Sequence, residues 1–366
     1  MRASMIQEGE ASTQRIRSTP FTSRVEAAGV TSYTAYNHML LPTVFESLEA
    51  DYEHLVKYVQ LWDVSCQRQV ELRGPDAARL AQLLTPRDLR KTASLQGKYA
   101  PLCDETGAIL NDPIIIKLED ERWWISIADA DIKLWAKGVA YGMGLDVKVF
   151  EPDVWPLAVQ GPLAEELMTR VFGADVRGIR FFRGRWLKFQ GTEMLVMRSG
   201  WSKQGGFEIY LNDFSLGEAL WDEFAIRGEA LKVRAGCPNQ IERLESGLLS
   251  YGGDMNEDNN PFECGLEQYV DLDAEIESIS LPALKRLHGK HKNLLTGIAF
   301  PKVVDVPRLA FIEEGRVVGR VTAQVWSPKY QQFIMFAMME RERVEASAEI
   351  SVGGVIGSFV PLVRED

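Results

Sequence analysis

Twice in this chain a strand-like apolar run ends at Gly-Pro and passes into a helical pattern. The first copy is residues 62–84, where WDVSCQRQVELR reaches Gly74-Pro75 and an apolar helix follows, with Asp76 at the expected N-cap. The second is residues 155–173, WPLAVQ followed by GPLAEELMTRVFG. Glycine and proline end a strand and open a turn, so each copy reads as strand, tight turn and returning helix. Such a recurrence predicts two related α+β lobes rather than one doubly wound sheet.

Other segments fill in these lobes. Residues 1–20 are polar and read as a flexible arm, residues 31–41 (TSYTAYNHMLL) are aromatic-rich, and 45–59 has helical spacing. Strands are predicted over 98–102, 113–118, 123–128 and 146–150, and helices over 130–142, 216–227 and 238–249. From about residue 294 the character changes to short strands: LLTGIAF, RLAFIEEGRVVGRVTA, QQFIMFAMM and SVGGVIGSFVPLV. These predict an all-β C-terminal domain of sandwich or barrel type. SVGGVIG lacks G-x-G-x-x-G spacing and no helix pattern follows it, which argues against a dinucleotide loop.

Composition narrows the function. A net charge of -11 argues against nucleic acid or an anionic membrane as the main partner. The four cysteines (Cys66, Cys103, Cys237 and Cys264) are scattered and read as reduced core thiols of a cytosolic protein. His288 and His291 are three apart but no carboxylate or cysteine cluster surrounds them, so no metal site is expected. No apolar run is long enough to span a bilayer and no signal-type core opens the chain, which makes the cytoplasm the expected location.

The stretch where chemistry gathers is residues 198–210, RSGWSKQGGFEIY. The strand-like TEMLVM precedes it, the polar KQGG supplies a turn, and FEIY resumes as a strand. Alternation places Glu208 and Tyr210 on one face, Phe207 and Ile209 on the other. By pattern alone Glu208 lies on an exposed strand face; if buried, its carboxylate must find donors or shift its pKa.

Several segments, in order from Trp62 to Pro328, resemble the glycine-cleavage T-protein family of tetrahydrofolate-dependent enzymes. They are WDVSCQRQVELRGPDA, KYAPLCDETGAILNDP, LAVQGPLA, RSGWSKQGGFEIY, IERLESGLLSYGGDMNEDNNPFECGL and RVTAQVWSP. The resemblance implies an α+β, three-domain T-protein-like architecture: two α/β lobes around a central folate channel and a C-terminal all-β barrel or sandwich. The expected bounds are 1–63 with 152–230, 64–151 with 231–285, and 286–366. It also implies residue roles. Glu208 matches the glutamate that reads the pterin, Tyr99 the tyrosine against the folate, and Arg243 the arginine of RLE, for which a structural salt bridge is an equal alternative. Asp112 matches the second aspartate of a DD pair beside the reactive folate nitrogens and is the candidate catalytic group. Asn111 stands in place of the first aspartate, and Cys66 in place of the histidine in DVSHM.

Within the family, SKQGG in place of the usual acidic turn, with YNHMLLP and LTPRDLRK, is similar to the branch that demethylates dimethylsulfoniopropionate. That branch passes one methyl group to N5 of tetrahydrofolate, giving 5-methyltetrahydrofolate and 3-(methylthio)propionate. A sulfonium leaves as a neutral thioether and N5 is itself the nucleophile, so no Ser, Cys or His nucleophile is required. The protein must align two reactants, worth about 7–11 kcal/mol in favourable cases. It must also hold a desolvated cation, for which an aromatic face contributes roughly 0.5–2 kcal/mol. Trp201, Tyr210 and Tyr36 are the candidates for that pocket, with Ser126 as a polar contact. The expected partners are the sulfonium and folate, without nucleic acid or membrane, and with a homodimer left open. Alternatives within the family are an aminomethyltransferase acting on a lipoylated carrier and a methyltransferase using another donor. A non-catalytic folate-binding branch is marked by K-G-C-Y-x-G-Q-E, a run absent here.

Overall fold

The structure is a computed structural model and describes residues 16–313, 315–346 and 349–364. The predicted N-terminal arm lies outside the described residues as far as residue 15. Its described end is docked, with Thr19 buried and its hydroxyl donating to Asp63. The chain separates into two compact units, the first ending at Gln69 and resuming over Pro152–Asn239, the second comprising Val70–Glu151 and the chain from Gln240 onward.

The first unit is built on a six-stranded sheet in the order Gly184–Phe189, Thr192–Met197, Gly206–Leu211, Trp155–Gln160, Gln60–Asp63, Arg234–Gly236. Neighbours are antiparallel except the last pair, which is parallel. Alternate residues Leu61, Leu157, Val159, Val196, Phe207 and Ile209 face helices Ala164–Phe172 and Gly217–Gly228 and bury the core. The opposite face carries one row across five strands, Gly184, Met197, Glu208, Ala158 and Trp62. Helix Leu48–Leu55 packs Leu55 over the Trp62–Ala158 end of that face. Its Ser47 cap, accepting from the Ala50 N–H, is worth about 1 kcal/mol.

The second unit repeats the plan with a five-stranded sheet: Lys148–Phe150, Gln69–Arg73, Arg122–Ser126, Ile114–Glu119, Gln96–Tyr99. Leu72, Ile115, Trp123 and Ile125 meet helices Ala77–Leu83 and Ile132–Gly142 on one face. The other face carries the row Tyr99, Ile114, Ser126.

Both Gly-Pro steps are fixed by the same physics. Gly74 (φ +141°) and Gly161 (φ +126°) lie where a Cβ would come within 2.6 Å of the Asp146 carbonyl oxygen and 2.3 Å of the Tyr58 carbonyl oxygen, respectively. Only glycine admits both the backbone angle and the approach. Asp76 takes the expected N-cap position. It makes no side-chain bond to its own helix, because its Oδ2 accepts from the Asp146 N–H at 2.8 Å.

Toward the C-terminus the chain forms one curled antiparallel sheet, in the order Ala310–Glu313, Arg316–Ser327, Gln332–Glu340, Asn293–Phe300, Val355–Val360, Ile350–Val352. SVGGVIG is its final hairpin, with Gly353 and Gly354 at φ +55° and +77° making the two-residue turn. The helix predicted over 238–249 is limited to Gln240–Ser246, ended by Gly247 at φ +69°. All four cysteines are buried free thiols. Among the described residues no helix is long and apolar enough to cross a membrane.

Candidate active site

In the first unit the site residues gather around Glu208. Its strand is third in a six-stranded sheet, and Glu208 is 8% exposed rather than on an open face. The Ser199 hydroxyl donates to Oε2 at 2.5 Å, and Tyr210, two residues along the same face, supplies a second hydrogen bond. Burial pushes the Glu208 carboxyl above its usual range, and these two donors pull it back part of the way. A carboxylate has about four lone-pair sites. Two hydroxyls use part of that capacity, and the remainder suits the parallel N–H pair of an aminopyrimidinone edge.

Trp201 lies half-buried in the connection between the Met197 and Gly206 strand ends, two residues after Ser199. Tyr36 closes the strand Ser32–Tyr36, which pairs with Met39–Val44 through a two-residue turn. Asn37 and His38 both adopt positive φ there, and Asn37 Nδ2 donates to the Cys66 carbonyl at 2.9 Å. Tyr36 is therefore held beside the 63–66 segment by its neighbour.

The second unit contributes a hydroxyl–carboxyl pair. Tyr99 donates from its phenol to Asp112 Oδ2 at 3.0 Å. Burial pushes Asp112 up to about 7, the Tyr99 bond lowers it, and the charge of Asp254 raises it. Asp112 itself is half-buried. Its neighbour Asn111 is neutral and fully buried, with Oδ1 accepting from the Ala128 N–H at 3.0 Å. An aspartate at 111 would add a like charge and push Asp112 higher. Ser126 shares the Tyr99 row, one strand beyond Ile114.

Arg243 makes the salt bridge of the structural alternative. Nη1 donates to Asp254 Oδ2 and the Leu248 carbonyl, and Nε to Gln240. Asp254 also accepts from the Ser250 N–H and, on Oδ1, from Thr322, which sits at a register shift in its strand. Other motif residues join in the same way. Glu245 accepts from Ser327 and the Lys329 N–H, and Glu263 from the Asn260 N–H and Asn293. Sequence reasoning missed Ser199 and Asp254 as partners of the site residues. Asp254 stands in the quoted GGDM run, but no periodicity marks either as a partner.

Comparison with known proteins agrees with this architecture. The profile of the GCVT N-terminal domain matches residues 21–274. Dimethylsulfoniopropionate demethylase DmdA of Ruegeria pomeroyi is 49% identical over 356 residues, 96% of this chain and 97% of that protein. Aminomethyltransferase of Thermotoga neapolitana is 26% identical over 332 residues, covering 89% and 90%. The crystal structure of glycine cleavage system aminomethyltransferase T from Bartonella henselae superposes with a TM-score of 0.83 at 21% identity, covering 95% of this chain and 98% of that one, and shows the shared fold. By the profile and the near-full-length relative together, the chain belongs to the glycine-cleavage T-protein (GCVT) family.

Proposed function

We propose that this chain is a tetrahydrofolate-dependent demethylase, moving one methyl group from dimethylsulfoniopropionate to N5 of tetrahydrofolate. The products are 5-methyltetrahydrofolate and 3-(methylthio)propionate. The observation that carries this reading is the 49% identity with the Ruegeria demethylase across nearly the whole of both chains. It is a cytoplasmic enzyme in this reading, consistent with four buried free thiols, and its three domains have the bounds given above.

The carbon–sulfur bond of the sulfonium breaks with its electron pair going to sulfur, a carbon–nitrogen bond forms through the N5 lone pair, and the N5 proton is released to solvent. The chain's own part is positioning and electrostatics. Glu208, held by Ser199 and Tyr210, orients the aminopyrimidinone edge; Tyr99 and Arg243 are assigned to the folate side, Arg243 through its pair with Asp254. Asp112 is assigned to favouring charge near the folate nitrogens in its ionised form, with the Tyr99 hydroxyl donating to it. Trp201, Tyr210 and Tyr36 supply aromatic faces for the sulfonium, and Ser126 a polar contact.

The test is to incubate purified protein with tetrahydrofolate and dimethylsulfoniopropionate and assay both products. Their stoichiometric appearance supports the reading. No methyl transfer, with turnover of an aminomethyl-loaded carrier protein instead, replaces it with an aminomethyltransferase.

A further inference from the structure

We infer that Gln160 is a positioning residue for the donor-binding loop, an inference that rests on the assignment of Trp201 to the sulfonium and Glu208 to folate. Gln160 ends the strand Trp155–Gln160 and is fully buried. Its Nε2 donates to the Ser199 carbonyl at 3.2 Å, and its Oε1 accepts from the Ser202 hydroxyl at 2.9 Å. Those two residues bracket Gly200 and Trp201. One carboxamide therefore ties both ends of the segment that carries the tryptophan.

The loop is also shaped around that amide. A Cβ at Gly200, where φ is +142°, would lie 1.9 Å from Gln160 Nε2, and one at Gly206 would lie 2.3 Å from the same atom. Gly206 is the register partner of Gln160, and the adjoining Gly161 N–H donates to the Gly205 carbonyl at 2.9 Å. An ordinary buried glutamine needs only its hydrogen bonds satisfied. Here two glycines stand against the amide, on either side of the tryptophan. The far end of the clamp is Ser199, whose hydroxyl holds Glu208. The amide has donor and acceptor at one end, which is what a loop crossing it twice requires. Methionine would fill the same volume with neither bond, and glutamate would keep the Ser202 bond while setting an acceptor against the Ser199 carbonyl.

The test uses the full chain with Q160M and Q160E, measuring methyl transfer while each substrate is varied in turn. The wild type run in parallel reports on the functional reading: if it makes no 5-methyltetrahydrofolate, that reading fails. With the wild type active, Q160M is expected to raise KM for dimethylsulfoniopropionate about tenfold while KM for tetrahydrofolate stays within about threefold, and Q160E to fall between. In a W201F background the same Q160M change is expected to add less than about threefold, because it acts through the tryptophan. A fall in kcat with both KM values unchanged, or a full tenfold effect in the W201F background, overturns the inference. Should Q160M not fold, Q160N, an amide one methylene short, gives the same readouts.

Discussion

Arg243 of the RLE sequence and Asp254 of GGDM form a single ion pair, Nη1 to Oδ2 at 2.6 Å, with the arginine side chain 6% exposed and the aspartate 0%. Breaking such a pair leaves a buried charge alone, at a cost of about 3–5 kcal/mol. R243M is therefore expected to lose stability of that order in a denaturant titration. Three of the arginine's five N–H donors are already committed within the unit, so tetrahydrofolate KM in the folded fraction is expected to rise by less than about tenfold. A folate KM that rises far more at unchanged stability would make Arg243 a direct ligand contact.

Asp112 gives a pH signature. Burial holds its carboxyl above the unfolded value, at about 7. Between the unfolded pKa of about 4 and that value, the folded chain binds more protons than the unfolded one, so this group's contribution to stability falls as pH rises through the window. D112N removes the dependence. Relative to the parent it is expected to gain stability from pH 4 to pH 8, by at most a few kcal/mol at about 1.4 kcal/mol per pKa unit. The same variant is expected to slow methyl transfer by about tenfold or more and to lose any rate limb near neutrality. An unchanged rate would assign Asp112 to structure.

The two lobes were legible because their Gly-Pro steps are local. A positive φ and a close backbone approach admit one residue type, and that leaves a mark in sequence at Gly74 and Gly161. The C-terminal sheet was legible from its run of short strand-like segments, and Tyr99 and Asp112 came from the family motif. The burial of Glu208 was not legible. It depends on what covers that face of the sheet, a non-local matter that pattern within the strand does not encode. The side-chain partner of the N-cap residue Asp76 was hidden for the same kind of reason, since it is the N–H of Asp146, far along the chain.

The Tyr99 hydroxyl lowers the Asp112 pKa by donating to the ionised form. Y99F removes that donor without removing the ring, so the carboxyl is expected to titrate at still higher pH. The rate limb controlled by Asp112 should move upward in pH while D112N shows no limb to move. Rate–pH profiles of Y99F, D112N and the double variant check this, and the double variant should match D112N.

Glu208 and Ser199 make the final pair. E208Q keeps the shape but replaces one acceptor oxygen with an amide NH2 group, which faces the folate N–H groups donor to donor. A hydrogen bond involving a charged group contributes about 1.5–3 kcal/mol, so tetrahydrofolate KM is expected to rise by about tenfold to a hundredfold. KM for dimethylsulfoniopropionate should change far less. S199A acts on the same carboxylate from the opposite side. Losing a donor to the ionised form raises the Glu208 pKa further, above a value that burial has already pushed up. Tetrahydrofolate affinity in S199A should therefore weaken as pH is lowered, over a range where the wild type still binds, and recover at higher pH. E208Q should show no such recovery, because it has no carboxyl to ionise. Isothermal titration with tetrahydrofolate at a series of pH values separates the two, and parallel curves for S199A and E208Q would show that the Ser199 hydroxyl does not act through Glu208.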